Sequence, residues 1–482
     1  MIKKLFMKYK GLSYGVKAGL WFTFCNMVQK GISFLTMPIF TRIMSQTDYG
    51  IYNTYLSWYN FILIFTSLNL SYYVFSKGMV KYEEDRDGFV SSLQSLSTTT
   101  TIVVFVFYIL FRNFANKLLG MTTSLMLCMF VQLFFEPSIS YWTARKRFEY
   151  DYTKVVIISI ALSLINPILG IVMVIASNNA VFARALSVTI VYFVFGIVLF
   201  FIIKRNGKKL LNTKYWKYAL AFNIPLIPHF LSSTALSQAD RVMITNMTGA
   251  DNTALYSVAY SIGMVTMLFS QAIQQALLPW QYTKIKNRDY ENIQDVPSAT
   301  MVIVMGINTL FIAFAPEVMK IVAPGEYAEA IWVIPPVCCS VYFMYLFNLF
   351  ANIEYYFEES KYVAVASILA ASINIGMNYV FIPVFGYVAA GYTTLACYIM
   401  LAISHFFCMK LICKKNSFDI QPYNIRITLL ISLAMIGVML SVIMFYRNVY
   451  IRYSIIAVIF IISIVFRSKL ISIIKSIGKK SE

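Results

Sequence analysis

Charge is scarce in this chain. Asp, Glu, Lys and Arg together make up 13% of its 482 residues, about half the share of a water-soluble domain, which excludes a soluble fold. The hydrophobic share is 59%, and those residues fall in runs of about 20, the length that crosses a hydrocarbon core of about 30 Å. Motifs for soluble chemistry are missing as well. No G-x-x-x-x-G-K-[ST] phosphate loop occurs, so the chain has no ATP-burning site of its own. There is no H-E-x-x-H, no G-x-S-x-G and no loop domain large enough for an aqueous active site. A transporter fits this inventory better than a membrane transferase, and neither a catalytic residue nor a metal or cofactor is expected.

Paired cysteine spacings are also lacking. Cys25, Cys128, Cys338, Cys339, Cys397, Cys408 and Cys413 all lie in apolar runs, which reads as small buried hydrophobes instead of a zinc site or disulfide framework. What the chain does have is a net charge of +19. Its cations sit between apolar runs, which excludes nucleic acid as the partner and leaves membrane lipids. The basic start, with Lys3, Lys4, Lys8 and Lys10, resembles a signal peptide, but the run from Val16 to Pro38 is too long, contains Lys30 and ends in Thr41-Arg42.

The pattern predicts an all-α integral membrane protein of about fourteen transmembrane helices. They are placed near 16–38, 49–76, 90–111, 118–142, 154–176, 180–203, 217–245, 254–280, 297–316, 328–353, 362–384, 388–412, 425–446 and 449–466. With the N-terminus in the cytoplasm, 30 of the 40 Lys and Arg fall on inside segments. Outside lie Arg42, Arg112, Lys117, Arg184, Arg241, Lys320, Arg447 and Arg452. The positive-inside rule supports that orientation, with both termini cytoplasmic.

The largest inside cluster, Lys204, Arg205, Lys208, Lys209, Lys214 and Lys217, marks a boundary between halves. Residues match across it at a near-constant offset. Tyr52, in Gly50-Ile51-Tyr52, aligns with Tyr256, in Ala254-Leu255-Tyr256, and Asn166, four before Gly170, aligns with Asn374, four before Asn378. The organisation expected is two pseudo-symmetric six-helix lobes, 1–210 and 211–415, with 416–482 supplying two more helices and a basic cytoplasmic tail.

Polar and charged residues inside apolar runs are costly and mark a cavity, a pathway or a partner. Lys30 lies about 20 Å up the first helix from Lys17, on a face with Thr23, Asn26 and Ser33. His229 lies about 18 Å above Lys217, just past Pro225 and Pro228, where a broken backbone needs a partner or a cavity. It reads either as Lys30's counterpart across a shared polar cleft or as a histidine bonded to a neighbouring helix. Asp240-Arg241 reads as a mutual ion pair, a loop contact or a cavity rim. Glu136, before Pro137, is a counter-ion or a proton carrier, and with Asp240 it is a candidate for coupling. Gln271 and Gln275 share a face with Ser257 and Ser261, and Asn348 and Asn352 share one with Tyr345 and Tyr355. Amides of this kind bond sugar hydroxyls. Gly11, Gly15 and Gly19 form a ladder that lets a helix approach.

Two longer motifs carry a resemblance. Asn374, Asn378, Ile382-Pro383, Gly386 and Ala389-Ala390-Gly391 resemble the N-x3-N, I-P-x-x-G and small-triplet signature of the polysaccharide transporter family, the O-antigen flippases. That family shares a superfamily with the multidrug and toxin extruders and the lipid II flippases. Thr41-Arg42 through Asp48-Tyr49-Gly50 and Tyr52 resemble its opening motif. The family's arginine in the second helix is missing from the Ser67–Phe75 segment, and Lys77 stands a turn later.

The resemblance implies alternating-access translocation of an undecaprenyl-diphosphate-linked oligosaccharide, an O-antigen or other polysaccharide repeat unit, to the outer leaflet of a bacterial inner membrane. On it, Lys30 and His229 meet the diphosphate, Arg241 or Lys77 guides it, and Asn26, Gln271, Gln275, Asn348 and Asn352 line the path. A polysaccharide polymerase and a chain-length regulator are the implied protein partners. The competitors are a cation-coupled multidrug exporter, for which the first helix lacks an acid, and a membrane glycosyltransferase or polymerase, for which an outer catalytic loop is missing.

Overall fold

The computed structural model describes residues 14–208, 211–416 and 421–465. The basic tail and most of the basic start lie outside them. All regular structure in the described residues is helical. The chain divides into two compact units, Met1–Thr234 and Ala235–Glu482.

In the first unit the helices are α1 (Tyr14–Ile43), α2 (Gln46–Ser67), α3 (Tyr73–Lys81), α4 (Arg86–Leu110), α5 (Arg112–Leu119), α6 (Thr123–Phe148), α7 (Tyr152–Ile175), α8 (Ala180–Gly207) and α9 (Thr213–Asn223). A 3-10 turn, Ile224–Leu226, leads into α10 (Ile227–Thr248), in which the second unit begins. There follow α11 (Ala250–Met264), α12 (Thr266–Lys286), α13 (Asp295–Ala313), α14 (Ala315–Val322), a 3-10 segment Gly325–Val333, α15 (Ile334–Tyr356), α16 (Ser360–Phe385), α17 (Val388–Lys415), α18 (Ile425–Met444) and α19 (Val449–Val465).

By length and apolarity, 11 helices among the described residues qualify to cross a membrane, and the run Val449–Ile461 is shorter. The expected count of fourteen is therefore not reached on that measure. Helix α1 has 30 residues and α2 has 22, ample length for a bilayer. Their polar content, Lys17 and Lys30 in one and Asn53, Thr54, Ser57 and Asn60 in the other, keeps them out of the apolar set.

Several predicted helices are broken. The span 49–76 ends at Leu68 and Asn69, both with φ of 49°, the left-handed conformation that terminates a helix. Ser67 Oγ accepts from the Asn69 N–H at 3.2 Å and steadies that turn. The span 217–245 breaks at Ile224–Leu226, where Pro225 withholds an N–H and Pro228 opens the following helix. The span 254–280 breaks at Val265, and 328–353 opens as a 3-10 segment before Pro335 and Pro336.

The eight-residue helices α5 and α14 each follow a long helix of their own unit, starting at 112 and 315, an offset of 203. In the first unit the most extensive helix pairing is α6 on α8, and in the second it is α15 on α17. At Gly196 a Cβ would stand 2.5 Å from the Phe135 Cβ, so glycine is what lets α8 lie on α6. Gln132 of α6 ties this core together, donating to Tyr55 Oη at 2.9 Å and Thr189 Oγ1 at 2.8 Å. The Gly15–Gly19 part of the glycine ladder is not a helix seam: Gly15 faces the Tyr150 ring and Gly19 faces open space, while Gly11 lies outside the described residues.

Candidate functional site

Each unit holds a polar centre beside a tyrosine of the repeat. In the second, Asp240 of α10 is 1% exposed. A carboxylate so placed needs donors, because an isolated buried charge costs several kcal/mol. Three helices supply them. Tyr256 of α11 donates its hydroxyl, Asn378 of α16 donates Nδ2 at 2.6 Å, and Thr394 of α17 donates Oγ1 at 3.1 Å. Thr393 donates to Asn378 Oδ1, which orients that amide with its nitrogen toward the carboxylate. The N-x3-N spacing thus places Asn374 and Asn378 one turn apart on a buried face, with Asn378 Nδ2 3.3 Å from Asn374 Oδ1. Asp240 and Arg241 form no mutual ion pair. The Arg241 guanidinium donates to Ser237 O at 2.8 Å and lies 4.8 Å from the Tyr260 ring centroid.

In the first unit the centre is cationic. Arg184 of α8 donates Nη1 to Asn166 Oδ1 at 2.8 Å and to Ser187 Oγ at 3.1 Å. Its guanidinium lies 4.4 Å from the Phe40 ring and 5.3 Å from that of Tyr52, cation-π contacts that offset partial burial. Gly170 leaves the room: a Cβ there would come within 2.6 Å of Arg184 Nη1.

A third feature lies in the second unit. A cavity of about 300 Å³ opens between α12 and α15, with Ser270, Gln271, Gln274, Gln275, Tyr345 and Asn348 among its lining residues. Asn348 uses Nδ2 on Met344 O at 2.7 Å, which leaves its Oδ1 as an acceptor. Gln274 Oε1 is buried with no hydrogen-bond partner. The wall is more apolar than polar: Met267, Val341 and Met344 stand among the amides, the hydroxyl of Ser270 and the phenol of Tyr345, with no carboxylate or cation. Such a wall can exchange hydrogen bonds with a neutral polyhydroxylated group and offers no cation to balance a diphosphate.

Three of the amides singled out from the sequence, Gln271, Gln275 and Asn348, meet in this cavity, whereas Asn352 does not line it. Asn352 is buried with its Nδ2 unpartnered. Lys30 is exposed on α1 with Asn26, Thr23 and Ser33, so the polar stripe exists as a face. No hydrogen bond joins Lys30 to Glu136, whose Oε1 accepts from Ser140 Oγ at 2.5 Å. His229 is half-buried beside Phe230, its Nδ1 without a partner. Lys77, on the short α3, lies 5.0 Å from the Phe222 ring.

Sequence reasoning missed Arg184, which it counted as an outside cation, and Gln274 and Ser270. The last two were within reach, because 267, 270, 271, 274 and 275 follow helical spacing. No group of three or more His, Cys, Asp or Glu that could hold a metal is found among the described residues.

Across 94% of this chain and 100% of the other, the fold matches a lipid II flippase MurJ in an inward closed conformation, with a TM-score of 0.68 and 13% identity. It also matches an inward-facing multidrug resistance MATE family transporter over 80% of this chain and 99% of that one, with a TM-score of 0.59 and 14% identity. The architecture is that of a multi-pass membrane protein with the flippase and multidrug-transporter fold. Residues 16–283 match the family described as polysaccharide biosynthesis protein, and the chain belongs to it. A relative in Haemophilus influenzae, Lsg locus putative protein 1, is 25% identical over 116 residues, which is 23% of this chain and 29% of that protein.

Proposed function

We propose that the chain moves a lipid-linked oligosaccharide, the repeat unit of a surface polysaccharide such as O-antigen, from the cytoplasmic to the outer leaflet of a bacterial inner membrane. Undecaprenyl diphosphate is the carrier on this reading, and the path is exposed alternately to the two membrane faces. The observation that carries it is the uncharged cavity between α12 and α15, where four amides stand in a largely apolar wall, in a chain of the polysaccharide biosynthesis protein family. Unpaired amide oxygens accept from sugar hydroxyls, and about 300 Å³ is at the lower end of small-ligand sites.

The diphosphate needs a cation elsewhere, and exposed Lys30 on α1 is the residue proposed to meet it, with Asn26 beside it. Lys77, Arg241 and His229 are further candidates along the path. Glu136 and Asp240 remain proposed coupling groups. A polymerase and a chain-length regulator are the proposed protein partners, and both termini are proposed to lie in the cytoplasm, a reading that the charge distribution supports.

The test is deletion followed by complementation. Cells lacking the chain should accumulate lipid-linked oligosaccharide on the inner leaflet, where reagents added outside do not reach it. Wild type should clear it and Lys30→Arg should clear part. Lys30→Ala should insert normally yet leave surface glycan at the level of the deletion. Accumulation on the outer leaflet would point to a polymerase instead, and full surface glycan with Lys30→Ala would end the role given to Lys30.

A further inference from the structure

Glu354 of α15 and His405 of α17 are both 0% exposed, and His405 Nδ1 lies 2.7 Å from Glu354 Oε1. Glu354 Oε2 and His405 Nε2 have no other partner. The Phe347 ring stacks on the imidazole with centroids 5.4 Å apart. The pair therefore sits dry in the seam between the two helices of the second unit that share the most extensive contact.

Other titratable groups around it are neutral or occupied. Cys408, on α17 itself, faces Glu354. Tyr282 of α12 donates its hydroxyl to Asn352 O, and Tyr423, ahead of α18, donates to Leu349 O. Tyr345 is bonded to Thr300 of α13, and Tyr342 shares a hydrogen bond with Ser432 of α18. Tyr398 of α17 stacks on the other member of the ring group, Phe347, at 6.2 Å. Glu359, at the head of α16, is paired with Lys415. No lysine or arginine is bonded to Glu354 or His405.

A neutral imidazole beside a carboxylate leaves the pair with a net negative charge and no counter-ion, a state that a dry site disfavours. One added proton brings the net charge to zero, whether it rests on nitrogen or oxygen. We propose that Glu354 and His405 form a proton-binding site, loaded while the α15–α17 seam is dry and emptied when water reaches it. Glu354 stands two residues from the end of α15, a short path to the aqueous phase. Proton uptake then favours the closed seam by differential affinity alone. That the proton drives translocation rests on the transport reading given above; the site itself does not.

The chain has only two histidines, so the experiment is direct. Full-length protein carrying His229→Gln, labelled with ¹⁵N-histidine and held in lipid nanodiscs, gives imidazole signals from His405 alone. As pH is lowered, these signals should report gain of a proton, and Glu354→Gln should alter that response or abolish it. Signals indifferent to pH, or an unchanged titration in Glu354→Gln, would overturn the site. The titration without the second substitution keeps the proposal falsifiable if Glu354→Gln does not fold.

In proteoliposomes loaded with undecaprenyl-diphosphate-linked oligosaccharide from cells lacking the chain, an imposed gradient of one pH unit should change the accumulation ratio about tenfold. The same gradient should leave Glu354→Gln indifferent. A titrating pair with gradient-independent translocation would refute coupling alone, while no translocation in wild type would refute the transport reading.

Discussion

Tyr52 and Tyr256, 204 positions apart in the chain, stand in different units, and the ionisable groups beside them differ in kind. Tyr52 faces the guanidinium of Arg184, which is tied to Asn166. Tyr256 donates to the carboxylate of Asp240, which is tied to Asn378 one turn from Asn374. The same scaffold of a tyrosine and an asparagine therefore supports a half-buried cation in one unit and a fully buried anion in the other. The two solutions differ in what they require. A guanidinium is content with ring faces and one amide, whereas a buried carboxylate needs its donors in full.

The largest effect should follow from breaking the anionic centre. Asp240→Leu strands the hydroxyls of Tyr256 and Thr394 and the amide of Asn378, three donors whose loss of partner costs about 1–3 kcal/mol each. The denaturation midpoint of the purified protein in detergent should drop by the equivalent of at least about 3 kcal/mol. A drop no larger than that of Arg184→Leu would show that the two centres carry similar weight, and the contrast would be one of sign alone.

Next in size is Gly170→Ala, which acts on the cationic centre through space. Its Cβ would stand 2.6 Å from Arg184 Nη1 and 3.1 Å from Phe40 Cζ. The guanidinium has to leave the Phe40 face or Asn166, at a cost of about 1–3 kcal/mol for overpacking. The same midpoint measurement checks it, and combining Gly170→Ala with Arg184→Ala should recover part of the loss. Failure to recover would mean that α7 and α8, not the arginine, resist the methyl.

The two centres were unequally legible in the sequence. The apolar runs, the Asn374 and Asn378 spacing and the proline break before His229 are local, and local patterns survive folding. Arg184 was not legible as a site residue, because nothing near it names Asn166, 18 positions earlier on another helix. The break at Leu68 and Asn69 lacks the glycine or proline that usually signals one. Glu354 and His405 are 51 positions apart and become a pair only when α15 lies on α17. Gln274 is a different case: it stands three residues from Gln271 and next to Gln275, so helical spacing alone puts it near their face.

The smallest effect should come from the asparagines that the repeat equates, and it is the sharpest test of the comparison. Leucine nearly matches asparagine in shape, so Asn166→Leu and Asn374→Leu each remove polarity without opening a cavity. Asn166 Oδ1 accepts from a charged donor at 2.8 Å, a bond worth about 1.5 kcal/mol or more. Solvent around half-buried Arg184 discounts it toward the lower figure. Asn374 Oδ1 accepts only a second, longer bond at 3.3 Å from an Asn378 amide already committed to Asp240, and its own Nδ2 is buried without a partner. Replacing it removes an unsatisfied donor along with a weak bond, so Asn374→Leu should cost under about 1 kcal/mol and less than Asn166→Leu in the same denaturation assay. The reverse order would mean that Asn374, not Asn378, carries the anionic centre, and that the repeat preserves the role of the asparagine as well as its place.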